Sequence, residues 1–221
     1  MFRLVSIERE YGCGGGAIAA QLAERLGWKL WDHLLTEEVA RVAGVDPSAV
    51  MRCEERMDSP FHRLAKSFWR GSYERSSPLG QQIFDTDRMM TMMQDIMNRI
   101  AREGNAVVVG RGAPYLLRAN PDVFHVFLYA PRVEKIRRTM AGGHSEEEAE
   151  ELVDSVDRDR IAYVKHYFGA DWPTRSLYHV MMNTAVGNGP VIQTILNTMR
   201  EVAASPKATD YEASKAPVPL R

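Results

Sequence analysis

The sequence has few cysteines, no long apolar run and no excess of charge of one sign. Two cysteines, Cys13 and Cys53, in 221 residues cannot build a disulfide framework, and the six histidines lack the spacing of metal ligands. No apolar run approaches the about 18 residues of a membrane span, and the first ten residues are too charged for a signal peptide. We therefore expect a cytoplasmic protein with no membrane association and no structural metal site.

The charge balance excludes another class of partner. The chain carries 28 basic and 29 acidic side chains, so its net charge of −1 would not attract a nucleic-acid duplex. With 45% hydrophobic and 26% charged residues, the composition is typical of a globular protein. The length predicts one domain over residues 1–203, and the prolines among small polar residues predict a disordered tail over 204–221.

Short apolar runs alternate with helical patterns along the chain. The runs predicted as strands are Val5-Ser6-Ile7, Trp28 to Trp31, Ala106 to Val109, Val123 to Tyr129 and Val180-Met181-Met182. Such alternation predicts a three-layer α/β fold around a mostly parallel sheet of about five strands.

Two further helical segments interrupt this alternation. Residues 34–102 predict a helical insertion with breaks near Pro47, Pro60 and Gly71. Its last helix is rich in methionine, which favours core packing or the interface of a homo-oligomer over a ligand site. Residues 132–168 predict two helices separated by Gly142-Gly143, an arrangement that suggests a movable lid. Further along the chain, Gly187 to Pro190 predict a turn before the last helix.

A glycine-rich segment follows the first strand. Gly12, Cys13, Gly14, Gly15 and Gly16 lie between this strand and a predicted helix. Glycines there allow backbone N–H groups to turn toward a phosphate at the positive end of the helix. The pattern G-x-x-x-x-G-K-[ST] is incomplete, since Gly15 and Gly16 occupy its lysine and hydroxyl positions and Arg9 its first glycine position. A tight turn without a ligand is the alternative.

Several segments together resemble one family. They are Val5 to Gly15, Leu22 to Trp28, Val107 to Gly112, Phe127 to Pro131, Asp154 to Arg160 and Asn183-Thr184. In this order they resemble the cytidylate kinase-like family, a branch of the P-loop nucleoside monophosphate kinases whose members also lack the loop lysine. The resemblance spans about residues 4 to 200 and implies a P-loop kinase fold, a helical acceptor-binding insertion and a helical lid.

The resemblance also implies roles for individual residues. Arg111 matches an arginine that binds the acceptor phosphate, although Gly112 stands where the family motif has aspartate. Asp157 and Arg160 match residues that contact the nucleoside monophosphate. The alternative for Arg111 is an arginine on the protein surface without a ligand. The alternative for Asp154, Asp157 and Arg160 is a set of ion pairs along a solvated helix face.

The remaining candidates concern the lid and the second strand. Arg137 and Arg138 stand where such kinases carry arginines that neutralise the transferred phosphoryl group, and Arg9 is the nearest basic residue to replace the absent lysine. Asp32 matches an aspartate that begins the acceptor-binding segment, or it caps the helix that follows.

The sequence supports three functional hypotheses. The first is a kinase that uses ATP and Mg²⁺ to phosphorylate a nucleoside monophosphate, with CMP or dCMP expected from the resemblance. The second is a nucleotide-binding protein without catalysis, because the loop lysine and hydroxyl are absent. The third is a kinase of another small acceptor, since fold does not determine substrate.

Overall fold

The computed structural model describes residues 1–43 and 86–205. Of the predicted insertion over 34–102, it therefore describes the first ten residues and the last helix. Cys53, the predicted breaks near Pro47, Pro60 and Gly71, and nearly all of the predicted tail lie outside the described residues.

The described residues form a five-stranded parallel sheet. Its strands are β1 (Leu4–Arg9), β2 (Lys29–Trp31), β3 (Ala106–Val109), β4 (Val123–Tyr129) and β5 (Val180–Asn183). Their spatial order is β2-β3-β1-β4-β5, and every neighbouring pair is parallel. The predicted parallel α/β fold is confirmed. The first strand extends two residues further than the apolar run, because the polar residues Glu8 and Arg9 still pair with β4.

Helices connect the strands and cover both faces of the sheet. They are α1 (Gly15–Leu26), α2 (His33–Ala43), α3 (Thr86–Glu103), α4 (Ala113–Leu116), α5 (Arg132–Ala141), α6 (Glu146–Phe168) and α7 (Asn188–Ala204), with short 3₁₀ turns at Arg175–Leu177 and Thr184–Val186. Because side chains alternate along a strand, Val5 and Ile7 of β1 pack with α1 and α7, while Leu4 packs with α3. The core therefore lies on both sides of the sheet.

The methionine-rich helix α3 buries its apolar face inside this chain. Met93 and Met97 are buried in the cluster that contains Leu4 and Val108, and Met90 is buried among aromatic residues. Core packing, one of the two interpretations favoured from the sequence, is therefore correct for these side chains.

The segment from residue 132 forms two helices, as the sequence predicts. Helix α5 ends before Gly142, and Ser145 and Glu148 form a capping box at the start of α6. The predicted turn over Gly187 to Pro190 is wrong in its extent, since α7 already begins at Asn188. Proline is tolerated in the first turn of a helix, where its missing N–H has no intrahelical partner. No helix in the described part of the chain is long and apolar enough to cross a membrane.

Candidate active site

The glycine-rich loop, residues 10–14, joins β1 to α1 at the carboxyl edge of the sheet. Gly12 and Gly14 have φ angles of 70° and 80°, a left-handed conformation that side-chain-bearing residues avoid. A Cβ on Gly12 would lie 2.9 Å from the carbonyl oxygen of Lys135, so α5 approaches the loop too closely for a side chain. Gly14, the residue before α1, has no side chain that could cap this helix. The N-terminus of a helix is a position where anions bind.

Arg9 lies across the start of α1. Its Cβ and Cγ lie 3.0 and 3.1 Å from the position that a Cβ on Gly15 would take. Its guanidinium contacts Gly110, which follows the neighbouring strand β3. The Arg9 side chain therefore occupies the space into which a side chain at position 15 would project.

Arg138 reaches the glycine-rich loop from α5, whereas Arg137 does not. The Arg138 guanidinium donates to the carbonyl oxygen of Cys13 and to both the hydroxyl and the carbonyl oxygen of Thr184, at 2.8 and 3.1 Å for the latter two. The exposed Arg137 side chain pairs with Glu134 through bonds of 2.8 and 2.7 Å. Of the two lid arginines predicted from the sequence, only Arg138 contacts the loop.

Thr184 completes the connection between the loop and β5. Its hydroxyl donates to the Cys13 carbonyl oxygen over 2.6 Å and is fully buried. The Cys13 side chain is buried as well, and burial raises the pKa of its thiol. Arg138 of α5 and Thr184, which follows β5, thereby both hold the Cys13 carbonyl group of the loop in place.

A lysine that the sequence analysis missed lies beside the loop. Lys135, buried on α5, donates to Glu10 over 3.0 Å and to Asp157 over 3.1 Å. Burial alone would lower the pKa of this lysine, but Asp157 and Glu10 outweigh that effect and raise it. No motif marks Lys135, because its partners lie 125 and 22 residues away.

Asp157 and Arg160 lie together on α6 and face the loop. Asp157 accepts hydrogen bonds from the Tyr11 N–H at 2.8 Å and from Arg160 at 3.0 Å. Arg160 also donates to the Arg9 carbonyl oxygen over 2.8 Å. Asp154, one turn earlier, is separate from this group: it is exposed and pairs with Arg132. Of these three charged residues, only Asp157 and Arg160 lie next to the loop.

Arg111 follows β3 in a strained conformation. Its φ of 60° is left-handed, as are the φ angles of the flanking Gly110 and Gly112, at 70° and 68°. A non-glycine residue in this region costs about 1–2 kcal/mol. Phe168 of α6 packs against Gly112, with a ring carbon 2.8 Å from the position of a Cβ there. Strain of this kind is concentrated at functional sites.

Glu8, at the end of β1, is a second residue that the sequence analysis missed. Only 4% of its surface is exposed. Burial raises the pKa of its carboxyl, and the nearby Arg9 and Arg160 only partly offset this effect. The pKa of Tyr115 is raised mainly by burial, and the negative charge of Glu8 adds to that increase. Glu8 is thus a buried carboxyl group within an aromatic surrounding.

Asp32 follows β2 at the same edge of the sheet. It is half-buried, and its carbonyl oxygen accepts the N–H of Leu35 at the start of α2. Both interpretations of Asp32, a cap and an acceptor contact, remain predictions.

The comparisons with known proteins agree with this architecture. A sequence model of the cytidylate kinase-like family matches residues 4–186. An uncharacterised protein from Eubacterium ventriosum has 19% identity and a TM-score of 0.63, with 89% of this chain and 98% of that chain covered. Shikimate kinase from Acinetobacter baumannii, solved with shikimate, has 15% identity and a TM-score of 0.51, with 93% and 97% covered. No curated protein matches the sequence. These solved structures show a common fold.

Proposed function

Because this chain belongs to the cytidylate kinase-like family, we propose that it transfers the γ-phosphoryl group of ATP to a nucleoside monophosphate, with CMP or dCMP as the first candidates. One observation carries the proposal: a glycine-rich loop and a strained arginine follow the paired strands β1 and β3. Ile7 lies opposite Val109 in this pair, so the two segments after these strands are neighbours. Ligands of open α/β sheets bind at such a carboxyl edge.

The donor phosphates would bind the glycine-rich loop. Backbone N–H groups of the loop and of the first residues of α1 would surround the phosphates. These residues are Gly12, Cys13, Gly14, Gly15 and Gly16. The left-handed φ angles of Gly12 and Gly14 support this assignment.

Arg9 would supply the positive charge that a lysine at position 15 supplies in a complete loop. The proximity of Arg9 to Gly15 and Gly110 supports this role, since the side chain crosses from the loop to β3. A guanidinium can donate to two phosphate oxygens at once.

The acceptor would bind next to the donor. Arg111 would hold its phosphate, while Asp157 and Arg160 would contact the rest of the monophosphate and Asp32 would border the site. The position of Arg160, which bonds to the Arg9 carbonyl oxygen, supports a location next to the donor.

Arg138 and Arg137 would stabilise charge on the transferred group. Phosphoryl transfer depends on positioning and electrostatics, so one well-placed cation contributes about 3 kcal/mol to transition-state stabilisation. Arg138 already lies against Gly14, with a guanidinium nitrogen 3.1 Å from the position of a Cβ there. Arg137 would first have to leave Glu134.

Magnesium would reach the site with ATP. Gly16 offers no hydroxyl ligand, and the described residues contain no group of three or more acidic, histidine or cysteine side chains suited to a metal ion. The residues present thus do not fit a protein-held magnesium ion, and the phosphates would be its ligands.

A nucleotide-binding protein without catalysis is the second candidate, favoured by the glycines at positions 15 and 16. A coupled ADP-release assay with ATP and Mg²⁺ across a panel of nucleoside monophosphates, beside calorimetric titration of ATP, distinguishes the two. Turnover with CMP or dCMP supports the kinase. ATP binding without turnover on any acceptor supports the second candidate, and no ATP binding means that the loop is a turn.

A further inference from the structure

We propose that Lys135 is the phosphate-binding lysine of the glycine-rich loop, and that Glu10 and Asp157 hold it there until the donor phosphates replace them. This inference rests on the proposed function, because it assumes a phosphorylated donor at the loop. It adds a residue from α5 to the loop's own N–H groups and to Arg9.

Lys135 lies directly against the loop. Its carbonyl oxygen lies 2.9 Å and its Cβ 3.1 Å from the position of a Cβ on Gly12. The first turns of α5 therefore pack on the loop. The Lys135 ammonium bonds to Glu10, itself a loop residue, over 3.0 Å. No other lysine in the described part of the chain bonds to a residue of the loop.

A carboxylate already occupies a loop N–H group beside this lysine. The Tyr11 N–H donates to one oxygen of Asp157 over 2.8 Å, and Lys135 donates to the other over 3.1 Å. The two oxygens of the Asp157 carboxylate thus accept hydrogen bonds from one N–H group and one ammonium group. Two oxygens of one phosphate could accept from the same two donors. A polyphosphate carries more negative charge than a carboxylate and would compete for both donors.

The partners of Lys135 distinguish it from the other cations of α5. Arg138 pairs with the Glu134 carboxylate and also donates to the carbonyl oxygens of Cys13 and Thr184. These two backbone acceptors cannot move aside as a side chain can. Arg137 is directed to Glu134 and exposed. Both partners of Lys135 are side-chain carboxylates, so rotation of Glu10 and Asp157 releases its ammonium. The rotation of Asp157 also breaks its bonds to the Tyr11 N–H and to Arg160, and phosphate oxygens would replace the carboxylate there.

The exchange has a consequence for Asp157. When phosphates take over Lys135 and the Tyr11 N–H, the Asp157 carboxylate becomes available to the acceptor. Asp157 therefore opposes donor binding and favours acceptor binding.

Calorimetric titration of the full chain with inorganic tripolyphosphate and with ATP tests the proposal. We expect Lys135→Gln to weaken tripolyphosphate binding about 10- to 100-fold, which corresponds to one charged hydrogen bond. We expect Asp157→Asn to tighten it about 3- to 10-fold, because a competing charge is removed. If Lys135 and Asp157 only stabilised the loop, both variants would bind tripolyphosphate more weakly. Weaker binding by Lys135→Gln together with tighter binding by Asp157→Asn therefore distinguishes the proposal from a structural role.

The exposed pair Lys165 and Asp171, 3.2 Å apart, provides the matched controls. Lys165→Gln and Asp171→Asn make the same charge changes, and each should leave tripolyphosphate binding within about twofold of the wild type. If Lys135→Gln does not fold, the sign of the Asp157→Asn effect still decides.

Three outcomes would overturn the proposal. If Lys135→Gln folds and binds tripolyphosphate like the wild type, Lys135 is not a phosphate ligand, although the proposed function stands. Asp157→Asn that binds tripolyphosphate more weakly than the wild type shows that the pair only builds the loop. A wild-type protein that binds neither tripolyphosphate nor ATP overturns the proposed function as well.

Discussion

The Cβ of Arg9 lies 3.0 Å from the position that a Cβ on Gly15 would occupy. One of the two side chains must shift by a few tenths of an ångström before position 15 can carry a side chain, so a side chain at 15 competes for space with that of Arg9. In the incomplete loop pattern, the arginine at the first glycine position and the glycine at the lysine position are therefore physically linked. In the proposed function, Arg9 therefore supplies the loop's cation from the start of the loop instead of its end.

This relationship predicts the outcome of an exchange. Gly15→Lys alone should weaken ATP binding more than about tenfold, because the introduced side chain and that of Arg9 compete for the same space. Combining Gly15→Lys with Arg9→Gly should recover most of the loss. Calorimetric titration of ATP measures both, and double-variant binding no better than that of Gly15→Lys would contradict the linkage.

Two arginines should affect different kinetic constants. Arg111→Ala should raise the acceptor KM about tenfold or more, since it removes a charged contact to the acceptor phosphate. Arg138→Ala should mainly lower kcat. Arg200→Ala, an exposed change on α7, is the control and should alter neither constant. Equal, small effects of the first two substitutions would count against the assigned roles.

The backbone at position 111 predicts an effect on stability. With φ at 60°, glycine is favoured over alanine there, so Arg111→Gly should have a free energy of unfolding about 1 kcal/mol above that of Arg111→Ala. The same pair at Arg158, exposed within α6, should show the opposite order, because glycine is unfavourable in a helix. Urea unfolding measures all four variants. The same order at both positions would mean that Arg111 is not strained.

Glu8 predicts a dependence of stability on pH. Burial raises the pKa of its carboxyl above the ordinary value of 4.5, so the folded protein holds this proton more tightly than the unfolded chain does. The contribution of Glu8 to stability is therefore full below pH 4.5, and it is lost as the pH rises through the folded-state pKa. Glu8→Gln, which stays neutral, should be more stable than the wild type at neutral pH.

Urea unfolding of the wild type and Glu8→Gln across the acidic to neutral range measures this difference. The advantage of the variant should shrink toward acidic pH and vanish below the ordinary glutamate pKa. A difference that does not vary with pH would show that Glu8 keeps an unshifted pKa. Glu24→Gln, on the outer face of α1, serves as the control for a general charge effect.

The parallel sheet could be predicted because buried strands such as Val107 to Val109 are continuous apolar runs. The glycine-rich loop could be located because glycine is favoured where φ is positive, as at Gly12 and Gly14. These features are encoded locally. Periodicity alone cannot decide which of two adjacent arginines faces the loop. Only the folded helix α5 directs Arg138 toward the loop and Arg137 toward solvent.

The contacts of Lys135 and Glu8 could not be predicted for a different reason. Lys135 meets Glu10 across 125 residues of sequence, and the charge of Glu8 acts on Tyr115 of α4 and Tyr163 of α6. Neither position belongs to a short motif. Their surroundings arise only when the helices pack on the sheet.

A glycine-rich loop without its lysine should still support phosphoryl transfer in this protein. The most direct test is a single-turnover experiment with ATP labelled at the γ-phosphorus, Mg²⁺ and CMP or dCMP, in which the labelled products are separated. We predict label in the nucleoside diphosphate, and less of it in Arg111→Ala when the monophosphate is supplied below its KM. The result that would contradict this function is label that, with every nucleoside monophosphate supplied, remains in ATP or appears only as inorganic phosphate.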